Sequence, residues 1–129
     1  MLGRKDFTAD EIAAAKDSVQ AALTAFAEVG SPPALETVFF NDAVLALDRR
    51  FVHRVRMVTG KDGTPLNELE LIATSLMDHG GKFQTNTVIK YVPASSVLGL
   101  SPGDPIALTA EQFAQLAAAC FDELETKFR

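Results

Sequence analysis

The 129-residue chain has one cysteine, Cys120, one tyrosine, no tryptophan and two histidines, His53 and His79. A lone thiol forms no internal disulfide, which excludes a disulfide-stapled scaffold and points to a reducing compartment. Neither histidine has a second His, Cys or carboxylate at HExxH or ExxH spacing, so no metal site is expected. No run approaches the roughly 18 uninterrupted apolar residues of a membrane span. The N-terminal MLGRKDFTADE has no apolar segment behind its charges, so no secretory leader is expected. A cytoplasmic protein, off the membrane and without a cofactor, is the expectation.

Positive charge is also scarce. Twelve Lys and Arg against seventeen Asp and Glu leave a net charge of −5, which disfavours generic nucleic-acid binding. The apolar fraction of 47% excludes global disorder. The length fits one domain, 1–129, large enough to bury a core unaided.

The patterning is helical. Thr8 and Glu11 form a capping box, and Phe7 with Ile12 supplies a hydrophobic staple. Ile12, Ala15, Val19, Ala22, Leu23 and Phe26 then mark a buried stripe, which Gly30-Ser31-Pro32-Pro33 stops. The last segment repeats the device. Thr109 and Gln112 form the box and Leu108 with Phe113 the staple. Phe113, Leu116, Ala117, Cys120, Leu124 and Phe128 share the apolar face.

Between them, Pro33 to Thr59 reads as one long helix of about 40 Å with Gly60 as its C-cap. A third helix opens at Thr64-Pro65 and ends at His79-Gly80-Gly81. Its apolar side is Leu66, Leu69, Ile72, Ala73, Leu76 and Met77; Asn67, Glu70, Thr74 and Asp78 take the other side. Lys82 to Leu108 differs, with β-branched residues from Phe83 to Tyr91 and a turn at Ser101-Pro102-Gly103-Asp104. The fold expected is mainly α, a four-helix arrangement with room for a small β-hairpin in the crossover before the last helix.

Candidate chemistry concentrates on the second helix. Phe40, Val44, Leu47, Phe51, Val55 and Val58 lie on one side, extended by Leu45 and Val52, and Asn41 and Asp48 fall inside that arc. An aspartate there needs a partner or suffers a raised pKa. It is either structural, capping a helix or pairing with a base, or part of a pocket floor. Asn41 has the same two readings. Arg49, Arg50, Arg54, Arg56 and Lys61, with His53 among them, form an acid-free stretch. That is a solvated face near a helix C-terminus or an anion site. Gly60-Lys61-Asp62-Gly63-Thr64-Pro65 is a turn without phosphate-loop or calcium-loop spacing. Cys120 lies on an apolar stripe, as an inert small hydrophobe would, and Ser75 lies in no nucleophile elbow.

The run Leu47-Asp48-Arg49-Arg50-Phe51-Val52-His53-Arg54, followed by Gly60-Lys61-Asp62-Gly63-Thr64-Pro65-Leu66-Asn67-Glu68, resembles a family of small bacterial proteins with no known activity. The likeness extends to Pro102-Gly103-Asp104-Pro105-Ile106 and the Phe-rich last helix. Thr64 stands where the family pattern has Asn. The resemblance implies a free-standing bacterial protein and supplies no substrate, cofactor or catalytic residue.

The leading expectation is a non-enzymatic helical interaction module, with a second copy as partner. The alternative is a small anionic ligand-binding protein or an enzyme. Its pocket would lie near Asn41 and Asp48, with Arg49, His53, Asn67 and Glu68 as polar contributors.

Overall fold

The computed structural model of the chain describes residues 4–29, 33–55 and 58–129. The expected stop at Gly30-Ser31-Pro32, and Arg56 of the basic stretch, lie outside the described residues. Four long helices carry the fold: α1 (Ala9–Val29), α2 (Pro33–Arg50), α4 (Pro65–Asp78) and α5 (Ala110–Lys127), with a single turn, α3 (Val52–Val55), between α2 and α4. The mainly α, four-helix expectation holds.

Both capping boxes form. The Thr8 N–H donates to Glu11 Oε1 at 3.0 Å and the Glu11 N–H to Thr8 Oγ1 at 3.1 Å. Thr109 and Gln112 exchange the same bonds at 3.1 Å each. The staple residues Phe7, Ile12, Leu108 and Phe113 are all buried. The Phe7 N–H also donates to the Phe128 carbonyl at 2.6 Å, so the start of α1 is tied to the end of α5.

The second helix is shorter than its pattern predicts. It ends at Arg50; Phe51 is a turn, and only Val52–Val55 resumes helix. The Arg54 N–H donates three residues back to Phe51, as does Val58 to Val55, a tightened geometry. The cause is local and tertiary together. Val52, Val55, Val58 and Thr59 are β-branched and weak helix formers. The Phe51 ring is held edge-on against Phe7 and Phe121, and the Arg54 carbonyl accepts the Arg4 N–H. Val58, expected on the buried stripe, is exposed as a result. Gly60 turns the chain at φ +76°, a conformation that favours glycine.

α4 packs against α2, α3 and α5, and eight of its fourteen residues are buried. Its expected polar side is therefore revised: Asn67 is fully buried, while Met77 is exposed. α1 is the opposite case. It packs chiefly on α5, and Ile12 and Ala15 are its buried residues.

The crossover contains no strand among the described residues, so the hairpin does not form. Two isolated bridges stand instead, Lys82 with Pro105 and Asp62 with Lys90, plus a 3-10 turn at Pro93–Ser95. Phe83 exchanges backbone bonds with Asp104 and Gly103 at 2.7 Å each, but the ladder stops there. From Gln84 onward the backbone groups find their partners in local turns, in the Lys90–Lys61 bond and in helix side chains.

Candidate functional site

The interior polar residues gather around the first turns of α4. A helix start leaves four N–H groups without intrahelical partners, and here each is accounted for. Pro65 has none. The Thr64 N–H donates to the Asp62 carbonyl at 2.8 Å, the Leu66 N–H to Glu123 Oε1 of α5 at 2.9 Å and the Asn67 N–H to Thr64 Oγ1 at 3.4 Å, and the Glu68 N–H then makes the first helical bond, to the Thr64 carbonyl at 2.8 Å. Thr64 thus caps α4 with its side chain, a job that Asn also performs.

Asn67 holds the turn before its own helix. Its Nδ2 lies 2.8 Å from the Asp62 carbonyl, 3.2 Å from that of Thr59 and 3.4 Å from that of Gly60. Three carbonyls at one nitrogen settle which way the amide points. Its Oδ1 is buried without a hydrogen-bond partner.

Glu68 reaches the crossover. Its Oε1 accepts the Val97 N–H at 2.8 Å and its Oε2 the Leu98 N–H at 3.0 Å. Burial raises the pKa of this carboxyl, against the two backbone bonds that favour its charged form. The same loop is closed by Tyr91, whose hydroxyl donates to the Leu100 carbonyl at 2.7 Å. Further along, Ser75 Oγ accepts the Gln84 N–H at 2.9 Å and donates to the Leu71 carbonyl at 2.8 Å. Asn41 donates to the Ile106 carbonyl at 3.0 Å and accepts the Leu108 N–H at 3.3 Å. Glu36 accepts the Ala110 N–H at 2.8 Å.

Ser75, Glu68, Asn41 and Glu36 therefore pin the crossover at successive points along its length. A segment without strands has backbone groups that must find partners when buried. These helix side chains provide them.

Cys120 lies at the centre of the acidic interior. Its thiol pKa is pushed well up, first by burial and then by the nearby charges of Glu123, Glu68 and Asp48. The thiol is therefore protonated and unreactive; its sulfur sits 3.5 Å from the Pro65 carbonyl. Among the described residues, no three His, Cys, Asp or Glu side chains are placed to hold one metal ion.

The six candidate residues do not form one site. Asp48 and Glu68 share the surroundings of Cys120. Asn67 faces the 59–62 turn and Asn41 faces 106–108. Arg49 and His53 are exposed. Arg54 of the basic stretch pairs with Glu11 at 3.7 Å and lies over the Phe7 ring, beside the Arg4–Glu11 ion pair.

Three grooves lie along α1. One of about 270 Å³ separates it from α2, with Val19, Ala22, Ala43, Leu47 and Arg50 in its walls. Another of about 380 Å³ separates it from α5. A third, of about 210 Å³, is lined by Ala25, Phe26, Val29, Leu35 and Phe39. None of the three includes a candidate residue.

Glu123 and Ser75 are interior anchors that helix patterning does not single out. Glu123 had a signal, since it falls three residues after Cys120 and next to Leu124, inside the apolar arc of α5. Ser75 had only its place beside Ile72 and Leu76.

No family model matches the chain, and neither a curated protein nor a solved structure matches it. No helix among the described residues is long and apolar enough to cross a membrane.

Proposed function

We propose that the chain is a non-enzymatic helical module that assembles with copies of itself. The observation that carries this reading is an apolar surface at the junction of α1 and α2. Val29, Leu35, Val38 and Phe39 are all exposed there, whereas large apolar side chains left together in water usually mark an interaction site. The interior supports the same reading. Asn41 and Glu68, the residues best suited to hold a ligand, already use their polar atoms on the crossover backbone.

The setting is a reducing one, in keeping with a buried free thiol, and we take it to be the bacterial cytoplasm. The alternative, a small anionic ligand near Asn41 and Asp48, has less support, since the Asn41 amide is already engaged with the crossover backbone.

Light scattering after size exclusion, run across a dilution series, tests the proposal. A concentration-dependent mass above 13.9 kDa is expected. A monomeric mass at every concentration up to the millimolar range would overturn it.

A further inference from the structure

We infer that two copies pair face to face through the ends of α1 and α2, the protruding Val38 of each filling the Ala25–Phe26–Phe39 groove of the other. The inference rests on the self-association reading and gives it a definite face.

Charge is the first argument. From Ser18 to Ala27 the chain has no Asp, Glu, Lys or Arg, although Ser18, Ala21, Thr24, Ala25 and Ala27 are exposed. At the chain's average of 22% charged residues, a solvated stretch of this length would hold roughly two charges. Loss of charge, not apolarity alone, distinguishes the centre of an interface from ordinary surface. Each copy also carries a net charge of −5, so two copies approach most easily over this charge-free stretch, with the exposed Glu28 and Asp42 at its rim.

Shape is the second argument. Phe39 packs tilted against Phe26 at 5.4 Å and edge-on to Phe40 at 4.9 Å, and Phe40 continues to Phe113 at 5.5 Å. The groove floor is thus the outer end of an aromatic row rooted in the core. Val38 stands beside that groove on the same helix and is 59% exposed. A knob and a hole on one face are self-complementary under a two-fold axis, because each is then used twice.

Area is the third. A chain of 13.9 kDa packed wholly on itself exposes about 6,700 Å², and this one exposes 7232 Å². The excess, on the order of 500 Å² over the whole chain, is of the same order as the ~800 Å² per partner that a standard interface buries.

The test compares Val38→Glu with Met77→Glu, a position on α4 equally exposed at 60%. Analytical ultracentrifugation should find self-association weakened about 100-fold by Val38→Glu, which buries a charge at the contact. Met77→Glu should leave it within about twofold. Undiminished assembly of Val38→Glu sinks this face while self-association stands; a monomeric wild type removes both. Should Val38→Glu not unfold cooperatively, Val38→Cys mixed with Ala25→Cys provides the reading. Cys120 is buried and does not compete. A mixed disulfide between the two variants is expected, and its absence under oxidation overturns the seating.

Discussion

Glu123 accepts the Leu66 N–H at 2.9 Å, so the last helix supplies a cap for the helix it packs against. The carboxylate also meets the positive end of the α4 dipole. Removing it leaves the buried Leu66 N–H without its acceptor. Glu123→Ala should cost about 1–3 kcal/mol in urea denaturation. Its neighbour Lys127, 3.6 Å away and exposed, should be replaceable by Ala at a cost under about 1 kcal/mol.

Glu68 gives a pH dependence of unusual sign for a carboxylate. Its pKa is raised by burial from 4.5, so the folded state holds the proton more tightly than the unfolded state. Its contribution therefore grows as pH falls through the folded pKa toward 4.5, and is smallest at neutral pH. Glu68→Gln should remove that slope. It should also destabilise at pH 7 by about 1–3 kcal/mol, because an amide NH2 would face the Val97 or Leu98 N–H. Stability measured from pH 7 to 5 in both proteins checks this.

Glu11 acts in the opposite direction. The Arg4 guanidinium, and then the Thr8 N–H, hold its pKa down at about 2, against 4.5. The stabilisation is complete above about pH 4.5 and disappears as pH falls toward 2. Glu11→Gln keeps an acceptor for Thr8 but loses the charge. Its acid unfolding curve should be flatter than wild type across that window. The difference should shrink in high salt, since the pair is partly exposed.

Gly63 and Gly60 should respond differently to alanine. A Cβ on Gly63 would stand 2.8 Å from the Lys90 carbonyl oxygen, which is backbone and held in place by the bridge to Asp62. At Gly60 a Cβ meets nothing within 4 Å, and the penalty is the positive φ alone. Gly60→Ala should cost about 1–2 kcal/mol. Gly63→Ala should cost about 1–3 kcal/mol through overpacking, and should free the Lys90–Lys61 backbone bond to hydrogen exchange.

Asn41 joins α2 to the last stretch of the crossover by two bonds, one given and one accepted. Asn41→Leu should leave the Ile106 carbonyl and the Leu108 N–H unsatisfied. Limited proteolysis should then cut within 82–108 at least several times faster than in wild type, with the helices intact by circular dichroism.

The local sequence determined the helix ends. Thr8 with Glu11, and Thr109 with Gln112, complete their bonds within four residues, so nothing distant can override them. Thr64-Pro65 opens α4 for the same reason. The tertiary structure decided the fate of the polar residues in the apolar arcs. Asn41 meets partners 65 and 67 residues away, Glu68 meets its own 29 and 30 away, and Glu123 reaches back 57. Spacing along one helix reveals that such a side chain is buried; only the packing of another segment against it reveals what it bonds. The break after Arg50 has the same origin, since Phe51 is held by Phe7 and Phe121 from the two ends of the chain. The exposed, charge-free face of α1 was present in the residues from the start. It is a surface only because α1 buries Ile12 and Ala15 and leaves Val19 onward half uncovered.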